Sequence, residues 1–162
     1  MNGAVPDSIG MLKSLKILTL SNNNLSGNLP VSMGGLVALE ELNLSSNKLN
    51  GPIHPSFGNM VNLKKMLLNL NNFSGNLPSA IGNLKELVTL HLHQNNFNGP
   101  IPATLGNLSK LDELLISQNQ LIGSIPAQLG NLTTLRSLIL SQNKLTGNIP
   151  PEIGNMTNLS FL

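Results

Sequence analysis

The side chains of this 162-residue sequence that could act on a substrate are few: His54, His91 and His93, seven carboxylates that include Asp7, Asp112 and Glu113, and a scatter of serines. Together they supply the nominal members of a nucleophile, base and acid triad. A His-x-His pair such as His91 and His93 could also offer two nitrogen ligands to a metal ion. Cysteine is absent, which excludes a disulfide framework, a thiolate nucleophile and a thiolate metal site, and leaves the redox compartment open. The glycines recur at a regular spacing, so there is no clustered loop of the kind that cradles phosphate. What the two neighbouring histidines can do depends on the element that carries them.

That element follows from a repeat. Leu15, Leu39, Leu63, Leu87, Leu111, Leu135 and Leu159 recur every 24 residues without a slip. Counted from that Leu, six complete units run over residues 15–158, with partial units at 1–14 and 159–162. Positions 1, 4, 6, 11, 15, 19 and 22 are apolar in all six units. Positions 4 and 6, as in Leu18/Leu20, Met66/Leu68 and Leu114/Ile116, alternate with period two, which predicts a short strand whose other face is polar or functional.

Position 9 is Asn23, Asn47, Asn71, Asn95, Asn119 and Asn143. An amide both donates and accepts, so this column is expected to form a structural ladder that satisfies backbone groups of the turn leaving each strand. Glycines at positions 13 and 20 are expected to supply bends. Pro30, Pro78, Pro102, Pro126 and Pro150 fix an extended segment, and His54 alone breaks their column. One coil cannot bury its own apolar side, but stacked coils share a continuous core. The expected fold is an α/β-type repeat solenoid with a concave parallel β-sheet and short 3-10 or loop segments on the convex side.

Placed on such strands, His91 and His93 occupy positions 5 and 7 and share a face, while Asp112 is at position 2 of the next strand. Two steps along a strand cover about 6.6 Å and the neighbouring strand is about 4.8 Å away, so Asp112 is roughly 10 Å or more from His91. The triad does not assemble, and a non-enzymatic chain is expected. Zinc would need a further protein ligand, with Glu113 as the one carboxylate in reach. The pair is therefore read as surface histidines that contribute to recognition or to modest pH sensitivity. No metal and no cofactor are expected.

A surface remains. Positions 2, 3, 5, 7 and 8 of each unit point outward on the concave side, and they vary while the core columns do not. The candidate ligand-binding residues are Lys65, Leu67, Asn69, Leu70, Thr89, His91, His93, Glu113, Leu115, Ser117, Ser137 and Ile139, with apolar side chains gathered on an otherwise polar face. Glu40, Glu41, Lys64 and Lys65 are placed to pair across adjacent strands. Six strands at about 4.8 Å span about 29 Å, the length of roughly eight or nine extended residues at about 3.3 Å each. A net charge of +2 with 10% charged residues gives no basic stripe for nucleic acid. No apolar run approaches the 18 or more residues that span a bilayer, and the first residues lack the regions of a signal peptide.

The run Leu111–Pro126, with its paired leucines, Asn119, Gly123 and Ile125-Pro126, resembles the leucine-rich repeat, and the Gly-x-Ile/Leu-Pro extension resembles its plant-specific class. The resemblance covers nearly the whole chain. It implies a fragment of a receptor-like kinase ectodomain, with a peptide, a small hormone or a partner ectodomain such as a co-receptor bound on the concave face. Similar plant proteins carry a Cys-containing cap, a signal peptide and often a membrane helix followed by a kinase. None of these is in the sequence, so the expectation is an uncapped piece of a longer cell-surface parent, prone to associate, with membrane attachment and any kinase activity outside it. Asn24, Asn43, Asn72, Asn107, Asn131, Asn155 and Asn158 each begin an N-glycosylation acceptor sequence, in keeping with an extracellular location. Two other readings stay open: a secreted inhibitor similar to polygalacturonase-inhibiting proteins, and a regular surface for ice or polysaccharide.

Overall fold

A computed structural model describes residues 1–162. The period-two leucines form six short strands, Ile17–Thr19, Glu41–Asn43, Lys65–Leu67, Thr89–His91, Glu113–Leu115 and Ser137–Ile139, in one parallel sheet laid down in chain order. Its register never shifts. Leu18 pairs with Leu42, Leu42 with Met66, Met66 with Leu90, Leu90 with Leu114 and Leu114 with Leu138. Each position of the repeat therefore stacks on itself one coil further on, and outward positions line up as rows.

The inward columns form one core. Leu42, Met66, Leu90, Leu114 and Leu138 are fully buried, as are Leu63, Leu87, Leu111 and Leu135. The only aromatic stack is Phe73 on Phe97, with ring centroids 6.1 Å apart and planes 8° from parallel. The position-15 column is not buried throughout. Leu29, Ile53, Leu77 and Ile101 are buried and Ile125 is half-buried, but Ile149 is 64% exposed, because each of these side chains is covered by the following coil.

On the convex side each extended step, ending in Pro in all coils but that of His54, leads into a five-residue 3-10 turn, from Asp7–Met11 through Val31–Gly35, Pro55–Asn59, Ser79–Asn83, Ala103–Asn107 and Ala127–Asn131 to Pro151–Asn155. The Pro30 carbonyl, for example, accepts the Met33 N–H at 3.1 Å. His54, which breaks the proline column, caps its turn instead: its Nδ1 accepts the Ser56 N–H at 3.1 Å.

Two features differ from the sequence reading. A second set of parallel strands follows the Asn turn: Asn2–Gly3, Asn24–Asn28, Lys48–Gly51, Asn72–Asn76 and Asn96–Asn98, then the pair Ile122–Gly123 and Lys144–Leu145. The segments are rich in Asn, Ser and Gly, with little strand propensity, and the stacking of coils supplies the pairing. The glycine columns also do different work. Gly51 at position 13 has φ +72°, as a bend requires, whereas Gly58 at position 20 lies in a 3-10 turn where a Cβ would stand 2.5 Å from the Ala80 carbonyl oxygen. Close approach of successive coils, not a bend, demands glycine there.

Candidate ligand-binding face

The sheet turns the outward positions into two rows. Lys65, Thr89, Glu113 and Ser137 pair in one, and Leu67, His91, Leu115 and Ile139 in the other. Eight of the twelve candidate residues are thus brought onto neighbouring rows of four consecutive strands. Leu67, His91, Leu115 and Ile139 are all partly buried, so the row is a shallow apolar strip interrupted by one imidazole.

Asn69, His93 and Ser117 follow at position 7, just past the strands, and are half-buried. Leu70 sits differently from the rest. It is in the turn with φ 57°, the left-handed conformation shared by Asn22, Ser46, Gln94, Gln118 and Gln142 at the same position, and it is 42% exposed. A branched apolar side chain is an outlier there, since its Cβ crowds the backbone. The prevalence of Asn, Ser and Gln at position 8 was the available signal for that turn.

The amide column pins the far end of the rows. Asn71 Nδ2 donates to the Leu44 carbonyl at 3.0 Å and the Leu68 carbonyl at 3.2 Å, and its Oδ1 accepts the Leu49 N–H at 3.0 Å. Asn95 and Asn119 repeat the pattern one and two coils on, and all three are buried. Asn47 and Asn143 make the equivalent bonds half-buried, and Asn23 Oδ1 accepts from the Met1 ammonium at 2.6 Å.

Apart from Glu113, the ion pairs gather along one edge of the sheet. Glu40 bridges Lys16 at 3.2 Å and Lys64 at 2.7 Å, and hydrogen bonds from these two ammonium groups, Lys64 first, hold its carboxyl below the ordinary range. Glu40 in turn pushes Lys64 up. Lys65 pairs with Glu41 at 3.6 Å, Lys110 with Glu86 at 2.6 Å and Arg136 with Asp112 at 3.4 Å. Asp112 thus turns to arginine and away from the histidines. A shallow polar depression lined by Lys16, Ala38, Glu40, Asn62, Lys64 and Glu86 lies along this edge, away from the apolar row.

At the centre, His91 Nε2 meets Glu113 Oε2 at 2.7 Å. The His93 ring lies 5.8 Å from that of His91, its Nδ1 is buried without a hydrogen-bond partner, and burial followed by the nearby His91 lowers its pKa. No group of three or more His, Asp or Glu side chains is placed to hold a metal ion. Of the acceptor asparagines, Asn24, Asn72, Asn107, Asn131, Asn155 and Asn158 are exposed. Asn43 is half-buried, and its Oδ1 accepts the Ser45 hydroxyl at 2.8 Å and the Ser45 N–H at 3.2 Å.

A stacked coil of this period with a variable strand face defines a class, and the comparisons agree with it. The family model described as a leucine-rich repeat region matches residues 48–162, and a second, leucine rich repeat, matches residues 4–49. The chain belongs to the leucine-rich repeat family. No curated protein sequence matches it.

Among solved structures, the plant peptide hormone receptor RGFR1 in complex with RGF2 is 38% identical with a TM-score of 0.98, over 99% of this chain and 26% of that one. The Arabidopsis receptor kinase HAESA ectodomain in complex with an extended IDA peptide hormone ligand is 38% identical with a TM-score of 0.96, over 99% and 27%. HAESA in complex with IDA and the co-receptor SERK1 is 33% identical with a TM-score of 0.80, over 99% and 31%. The chain spans roughly a quarter to a third of the length of these receptors. No helix of the structure is long and apolar enough to cross a membrane.

Proposed function

We propose that this chain is a recognition segment of an extracellular receptor ectodomain, one unbroken repeat array that binds an extended peptide or protein edge on its concave sheet and carries no catalytic step. The observation behind this reading is the continuous row Leu67, His91, Leu115 and Ile139, which presents apolar surface where the repeat calls for polar side chains. The peptide complexes of RGFR1 and HAESA support it, and the SERK1 complex supports a co-receptor as a further partner. Membrane attachment and any kinase belong to other parts of a longer parent, and the exposed acceptor asparagines would carry glycans.

The test is a selection of displayed peptides on this chain, followed by binding to variants. Leu67→Asp with Leu115→Asp is expected to abolish binding, while Val37→Asp with Val61→Asp, at exposed positions off the sheet face, leaves it intact. The opposite pattern would reject the reading.

A further inference from the structure

Five carboxylates border or occupy the sheet face, and four of them, Glu40, Glu41, Glu86 and Asp112, are neutralised by lysine or arginine. Glu113 is the exception. No lysine or arginine bridges it; it meets His91 alone, and its side chain remains 42% exposed beside the apolar row. We infer that Glu113 is the seat for a basic side chain of the bound peptide, flanked by apolar residues that pack on Leu67 and Leu115. This inference rests on the recognition reading above and specifies its ligand.

The surroundings leave that seat to the ligand. On the strand before, His91 and His93 are the titratable groups, and burial keeps His93 from readily taking a proton. On the strand after, Arg136 is held by Asp112, the residue beside Glu113 in sequence. Lys65 is two strands back, about 9.6 Å away, and holds Glu41; Lys64 holds Glu40, and Lys110 holds Glu86. No lysine or arginine of the chain pairs with Glu113, so a ligand ammonium or guanidinium would complete it with a charge-assisted hydrogen bond. Leu115 lies two residues along the same strand, about 6.6 Å away, which is also the pitch between same-side residues of an extended peptide. An acidic ligand residue would instead face Glu113 directly.

A displayed library of about nine randomised residues, panned on this chain at neutral pH, provides the test, with the recovered peptides synthesised and titrated. Recovered peptides are expected to share a Lys or Arg between apolar residues, and Glu113→Gln should weaken them about tenfold or more with no change in melting temperature. Peptides that need Leu67 and Leu115 but are acidic or uncharged, or that ignore Glu113→Gln, overturn this inference and leave the recognition reading standing. Peptides indifferent to Leu67→Asp with Leu115→Asp, or no recovered peptide, overturn both.

Discussion

Asn71 and Leu49 are 22 residues apart in the chain, yet the Asn71 side-chain Oδ1 accepts the Leu49 backbone N–H at 3.0 Å in the core of the protein. The same side chain gives its two protons to carbonyls of its own coil and the one before, so one amide closes its own turn and fastens a neighbour.

Asn71→Ala is expected to destabilise by about 2–3 kcal/mol, because it leaves the buried Leu49 N–H without a partner and takes one of two amide donors from each carbonyl. Asn23→Ala, at a half-exposed site that water can reach, should cost under about 1 kcal/mol. Urea midpoints of the two variants compare them directly.

Two glycines at one repeat position should respond with opposite sign. Gly58→Ala drives a methyl group against the Ala80 backbone and should cost about 2 kcal/mol or more. Gly154→Ala meets nothing within 4 Å and should be neutral or stabilise by about 0.5 kcal/mol through the unfolded state. Thermal melts of both variants check the contrast.

Leu70→Asn should raise stability by about 1 kcal/mol, since Asn tolerates the left-handed backbone that Leu70 strains. The same change removes an exposed apolar side chain from the end of the candidate face. Stability should therefore rise while peptide binding falls, which separate melts and titrations can resolve.

His93 sets a pH dependence. Its folded pKa lies below the ordinary 6.5, so between that value and the depressed one the unfolded chain binds more protons than the folded chain. Stability is full above pH 6.5 and declines as the solution is acidified through this window, before Glu40 begins to lose its charge in the carboxylate range. Denaturant midpoints should fall on acidification, and His93→Gln should flatten that part of the profile.

Much of the scaffold is written in residue types that admit one environment. Leu, Ile and Met at positions 4 and 6 alternate as only a strand requires, and Asn at position 9 has the two-way hydrogen bonding that a closed turn needs. The second sheet escaped because Asn, Ser and Gly carry no strand preference, and its pairing arises from the next coil rather than from local sequence. The Gly58 column looked like a bend because chain flexibility and absence of a side chain are the same residue in one-letter code. On the candidate face, strand parity placed Leu67, His91, Leu115 and Ile139 on one side. The lone pairing of Glu113 with His91 needed geometry, since Asp112 and Glu113 are adjacent and look alike until one is seen to hold Arg136.

Every bond of the amide column reaches within its own coil or to an adjacent one, at separations of 2, 3, 22 or 27 residues. Splicing a complete coil into the coding sequence, or deleting one, would hand each amide an equivalent neighbour and heal without a seam. A lineage built this way can lengthen its variable strand face by duplication alone, while an insertion of a single codon would bulge one coil and leave the period of the coils after it intact.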